Sequence, residues 1–132
     1  MARASAALVV AGFLALGTGC GARSQLHQQQ PAIDILHWRV IGSSVVLQVK
    51  ISGWKMAAPR QGVVPKPRTG QWQIFAGDRY VGYSDEPSYG VIEQMPVGTY
   101  RVWVALARTD YSLVYPLIRS RSVTVHVGSD GV

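Results

Sequence analysis

One cysteine, three histidines and seven carboxylates are the groups in this chain best suited to metal, nucleophile or proton-transfer chemistry, and their spacing keeps them apart. A mononuclear zinc or copper site needs three or four converging His, Cys or carboxylate ligands. His27 falls in a polar stretch near the N-terminus, and His37 and His126 each stand alone on a predicted strand with no second ligand two residues away. Each reads as a surface residue. There is no CxxC, no HExxH and no phosphate-cradling glycine loop. The serines lie in predicted turns and strand edges, without the His and carboxylate company that would activate a hydroxyl. The carboxylate pair Asp85-Glu86 precedes Pro87 and reads as a solvated turn. These observations point to a non-enzymatic chain without a cofactor. Binding is left to two groups of residues. Trp103 and Arg101, on the outward side of a late strand, are residue types enriched at protein interfaces. The loop cations Lys55, Arg60, Lys66 and Arg68 suit an anionic partner.

The cysteine, Cys20, has a setting of its own. It ends the sequence Leu16-Gly17-Thr18-Gly19-Cys20, after an uncharged run from Ala4 to Gly19 preceded by Arg3, the layout of an export signal. This ending resembles a bacterial lipoprotein processing site, which implies cleavage before Cys20, lipidation of Cys20, and an exported domain held on the outer face of the cell membrane or in the periplasm. Gly17 stands where such sites usually carry Leu, Val or Ile, with Leu16 one residue further back. That leaves two other readings open: an ordinary secretory signal cut after Ala22, and a buried thiol. A permanent span would need about 20 strongly apolar residues, and this run is short and contains glycine.

Removing residues 1–19 from the 132 leaves 113, enough for one domain with a real core and too few for two. Loss of Arg3 lowers the formal charge from +6 to +5. A basic exterior outside the cell points to anionic lipid or a wall polymer rather than nucleic acid. With Cys20 committed to the N-terminus, no internal disulfide can form, and the domain must hold together by packing.

The elements that would position these residues are strands. Residues 20–32 are polar and Gln-rich and read as a flexible tether; residues 33–128 form the domain and 129–132 a disordered tail. Val45, Leu47, Val49 and Ile51 alternate with polar residues, a period of two. The expected partner is Ile35–Ile41, with Leu36, Trp38 and Val40 on one face. A long loop, Lys55–Gly70, follows. Gln71–Ser84 reads as a hairpin around Gly77-Asp78, a turn whose first residue needs positive φ; this register sets Ile74 against Val81 and Trp72 against Tyr83. A short segment, Tyr89–Ile92, leads to Pro96-Val97-Gly98-Thr99-Tyr100 and a strand with Tyr100, Val102, Val104 and Leu106 facing the core. The last strand, Ser122–Val127, alternates Val123, Val125 and Val127 inward. About seven short strands, with a tyrosine whose hydroxyl could bond back to nearby backbone, predict an all-β, immunoglobulin-like antiparallel sandwich.

The stretch Val49–Val127 also resembles a group of small exported bacterial proteins of unassigned function, with an immunoglobulin-like or cupredoxin-like sandwich. Their pattern is roughly G-H-x-H-x-x-x-D-G, then L-x-P-G-x-H, then D-H, then a V-x-V-x-V strand. Here the corresponding residues are Gly70-Gln71-Trp72-Gln73 through Gly77-Asp78, then Met95-Pro96-Val97-Gly98-Thr99-Tyr100, then Asp110-Tyr111, then Val123–Val127. In the relatives the clustered histidines suggest copper or zinc. In this chain Gln71, Gln73, Tyr100 and Tyr111 replace them, and these are poor ligands for those metals. The resemblance therefore implies a member that kept the fold and lost the metal.

Two expectations follow. The first is a non-enzymatic, lipid-anchored module that binds another envelope protein or an anionic polymer through Trp103, Arg101 and the basic loop. The alternative is a metal-handling module whose degenerate site gathers Gln71, Gln73, Tyr100 and Tyr111, with Asp110 nearby. The second requires those side chains to converge.

Overall fold

The computed structural model describes residues 29–128, so Cys20, the predicted signal segment 1–19, most of the predicted tether and the predicted tail 129–132 lie outside the described residues. From Pro31 onward the chain forms one unit. Its strands are β1 (Ala32–Ile41), β2 (Ser44–Ser52), β3 (Lys55–Met56), β4 (Thr69–Ala76), β5 (Arg79–Ser84), β6 (Tyr89–Ile92), β7 (Gly98–Arg108) and β8 (Val123–Val127). One sheet has the order β1-β2-β6; the other runs β3-β4-β7-β8, with β5 also on β4. All pairings are antiparallel except the short β3–β4 contact. The eighth strand beyond the expected seven is β3, formed inside the loop read as Lys55–Gly70.

The alternating residues meet between the sheets. Ile33, Ile35, Val45, Leu47, Val49 and Ile92 come from one side; Trp72, Ile74, Val102, Val104, Leu106 and the three valines of β8 come from the other. All of this core falls between Ile33 and Val127, so the unit carries a complete core of its own. Trp72 is fully buried, and its Nε1–H donates to the Glu86 carbonyl at 2.8 Å. Tyr100, at the start of β7, donates its hydroxyl to the Pro96 carbonyl at 2.6 Å. A buried Trp on one sheet and a tyrosine corner are both hallmarks of immunoglobulin-like sandwiches, and this fold is one. Tyr100→Phe is expected to cost about 1 kcal/mol; thermal denaturation should show a melting temperature lower by about 4–8 °C.

Two local expectations are corrected. β1 begins at Ala32, inside the predicted tether, and a bulge at Leu36 separates the pairs Ile35↔Val49 and His37↔Gln48. The extra residue shifts the alternation, so Ile33 and Ile35 point inward, Leu36 is 52% exposed, and Trp38 and Val40 rejoin the core after it. The β4–β5 hairpin turns at Gly77, with φ 62°, but its register differs from the expected one. Trp72 lies opposite Ser84, Gln73 opposite Tyr83 and Ile74 opposite Gly82; a second bulge then sets Phe75 opposite Tyr80. Gln71 and Gln73, on the outer face of their sheet, are both buried, because β4 is covered on both sides.

Candidate functional site

The outer face of the larger sheet is built from one row on each of three adjacent strands. β4 contributes Gln71, Gln73 and Phe75. On β7 the facing residues are Ala107, Ala105 and Trp103, paired with them in that order. β5 adds Tyr83 opposite Gln73 and Tyr80 opposite Phe75. After β7 the chain folds back along the same strand: Ala107 bridges Leu113, Ala105 bridges Arg119, and the Ser120 N–H donates to the Val104 carbonyl at 2.8 Å.

Phe75 and Trp103 stack with centroids 4.3 Å apart and planes 11° from parallel. The Trp103 Nε1–H donates to the Gly77 carbonyl at 2.8 Å, which fixes the ring against the hairpin turn. The guanidinium of Arg119 lies 3.8 Å from the Trp103 centroid. Arg119, not the expected Arg101, is thus the cation on this tryptophan; Arg101 is exposed two residues before Trp103 on the same side of β7. Tyr80 meets Phe75 edge-on at 6.0 Å and Tyr83 meets Tyr111 edge-on at 5.8 Å. Gln73, Phe75, Tyr80, Tyr111, Leu113 and Tyr115 line an open groove of about 700 Å³. Tyr115 is 74% exposed at its margin. Burial, and after it the phenols of Tyr111 and Tyr83, pushes the Tyr80 phenol above the ordinary tyrosine value, so this hydroxyl stays a neutral donor at any physiological pH.

The wall of the groove is fixed by polar contacts. Gln73 Nε2 donates to the Tyr111 carbonyl at 2.8 Å. Tyr111 has φ 74°, a conformation costing about 1–3 kcal/mol for a residue other than glycine. It is held by that bond and by its own N–H on the Arg108 carbonyl at 3.0 Å. Asp110 accepts from the Ser112 hydroxyl at 2.5 Å and from its N–H at 3.0 Å; these two bonds, the hydroxyl first, hold its carboxyl below the usual aspartate range. Asp110 therefore shapes the loop that presents Tyr111.

Of the residues singled out in the sequence, Gln73, Trp103, Asp110 and Tyr111 come together here, with Gln71 next in the row on β4. Tyr100 does not join them. It points into the sandwich, and five residues of extended strand separate it from Ala105, the partner of Gln73, about 17 Å. Among the described residues no three His, Cys, Asp or Glu side chains approach one another; His126 instead pairs through Nδ1 with the Thr99 hydroxyl at 2.9 Å.

Comparison with known proteins adds little to this geometry. No family model matches the chain, and no curated protein matches it. Among solved structures it is similar to the fibronectin(III)-like modules of Clostridium thermocellum CbhA, with 14% identity and a TM-score of 0.47, over 71% of this chain and 92% of that one.

Phe75, Tyr80, Tyr83, Tyr115 and Arg119 were not singled out from the sequence. Tyr80 and Tyr83 are three residues apart, which strict alternation assigns to opposite faces; the bulge between Ile74 and Phe75 brings both outward. The only sequence signal was the density of tyrosine between Tyr80 and Tyr115 in a chain that has six.

Proposed function

We propose that this protein is a non-enzymatic binding module, held to the outer face of a bacterial cell membrane through a lipid on Cys20, that presents the outer face of its larger sheet to another envelope protein. The observation that carries the reading is the aromatic array: Phe75 stacked on Trp103 beneath Arg119, with Tyr80, Tyr111 and Tyr115 around one open groove and Tyr83 edge-on to Tyr111. Tyrosine and tryptophan supply large, stiff contact area with a polar tip, and with arginine they are the types that dominate binding energy at interfaces. The array is also pre-organised. The Trp103 ring is fixed on the Gly77 carbonyl and the Tyr111 backbone on the Gln73 amide, which lowers the freedom that these two positions lose on association.

The alternative of a metal-handling module has no comparable support, because its four side chains do not meet. The test is photo-crosslinking in intact cells from a benzophenone residue at Tyr115, compared with one at Val91 on the outer face of the opposite sheet. Specific adducts are expected from position 115 and not from 91, and their loss is expected on Cys20→Ser, which removes the anchor. Equal labelling from both faces would overturn the assignment of this surface.

A further inference from the structure

The loop of residues 57–68, between β3 and β4, combines two features that rarely meet on a soluble surface. Between Asp34 and Asp78 the chain carries six basic residues and no acidic one, and Lys55, Arg60, Lys66 and Arg68 flank or lie within this loop. In its middle stand Val63 and Val64, the latter 83% exposed, followed by Pro65. Single exposed valines are ordinary, but an adjacent pair among cations is an amphipathic tip. The loop is tied to the domain rather than trailing from it. The Lys55 N–H donates to the Arg68 carbonyl, Ala57 N–H to Gly70 and Arg60 N–H to Thr109, each at 2.8 Å. A cleft of about 530 Å³ lies along it, walled by Ala57, Ala58, Val63 and Val64 and lined also by Lys55, Arg60 and Lys66.

The position of the loop supplies the second argument. Pro31, where the described chain leads into β1, lines a hollow together with Trp54, Pro65, Lys66 and Pro67. The valine tip and the N-terminal end of the domain therefore share one end of the sandwich. An N-terminal lipid would hold that end toward the bilayer.

We propose that this end of the domain docks on the surface of an anionic lipid bilayer, with Val63 and Val64 entering the headgroup boundary and Lys55, Arg60 and Lys66 on the lipid phosphates. The orientation rests on the anchored reading above; the binding itself does not. Each cation near an anionic surface contributes about a fivefold gain in partition, so three give about a hundredfold preference over a neutral surface. The attraction acts only within about 10 Å and fades with added salt.

The test uses the chain from Gly21, which retains the whole core and lacks Cys20, so that Val64→Cys supplies its one thiol for an environment-sensitive fluorophore. Circular dichroism checks that the variants remain folded. The probes are vesicles of phosphatidylcholine with and without phosphatidylglycerol. The label at 64 is expected to shift to the blue on the anionic vesicles. The same label at Ser43, in the β1–β2 turn about 30 Å away along the strands, is expected to stay unchanged. Arg60→Gln with Lys66→Gln should weaken the response about twenty-five-fold. No shift at 64 on either vesicle, or equal shifts on both, would overturn the proposal. So would binding to soluble dextran sulfate with the vesicles ignored, which would make the loop a polymer site. Because Cys20 is absent, none of these results depends on whether it is acylated; the mass of the full-length protein reports that separately.

Discussion

Replacing Trp72 with alanine is expected to lower stability by about 3–5 kcal/mol, a large share of the 5–15 kcal/mol typical of a domain. A thermal melt should show the midpoint falling by more than about 12 °C. The side chain spans the space between the sheets: it springs from β4, has no exposed surface, and its indole N–H ends on the Glu86 carbonyl just before β6. Its ring tip lies against Gly90 of the opposite sheet so closely that a methyl group there would overlap Cη2 and stand 3.0 Å from Cζ2 and Cζ3. Glycine is required at position 90 by this contact. Gly90→Ala should therefore be destabilising by about 1–3 kcal/mol through overpacking. Combining it with Trp72→Phe, which withdraws the far ring, should give a double variant more stable than the sum of the two single losses predicts. Strict additivity would mean that the two residues do not touch.

This pair shows what the sequence could and could not convey. Alternation in β2, β7 and β8 is visible because each strand has one apolar side, and Val45, Leu47, Val49, Val102, Val104, Val123 and Val125 all point where their period places them. The Pro96–Tyr100 corner was legible for a similar reason: a proline, a glycine and a tyrosine at fixed spacing constrain the backbone locally. The two bulges were not legible. An inserted residue at Leu36 or in the β5 strand carries no side-chain signature, yet it reverses the facing of every residue on one side of it. That reversal hid the aromatic array, since Tyr80 and Tyr83 reach the same face only through it. The coverage of β4 was hidden as well. Gln71 and Gln73 alternate with Trp72 and Ile74 as solvent-facing residues should, and only the return of residues 109–120 along β7 takes their side of the sheet out of water. Of the four residues tied together by family resemblance, Tyr100 separated for a simpler reason. It belongs to the inward row of β7, whereas Gln71 and Gln73 belong to the outward row of β4, where Gln73 meets Tyr111.

Gln71→Met is expected to act in the opposite direction and stabilise the domain by about 1–3 kcal/mol, raising the melting temperature by at least about 4 °C. Gln71 is fully buried, and neither its Oε1 nor its Nε2 has a hydrogen-bond partner among the described residues. An amide removed from water without a replacement partner costs about that much in proteins, and methionine keeps the length of the side chain while removing the cost. Gln73 supplies the control. Its Nε2 does have a partner, the Tyr111 carbonyl, in a turn already strained at φ 74°. Gln73→Met leaves that carbonyl unpaired and should destabilise by about 1–3 kcal/mol. Two glutamines two residues apart on one strand thus differ in the sign of the same substitution, and a pair of melts decides whether the amide environments are as described. The outcome also bears on function. A domain that keeps an unpaired amide beside a pre-organised aromatic groove forgoes stability it could have, a trade common at binding sites. If Gln71→Met melts higher but cross-links less from position 115, the buried amide shapes the groove from beneath; if cross-linking is unchanged, the groove keeps its form without it.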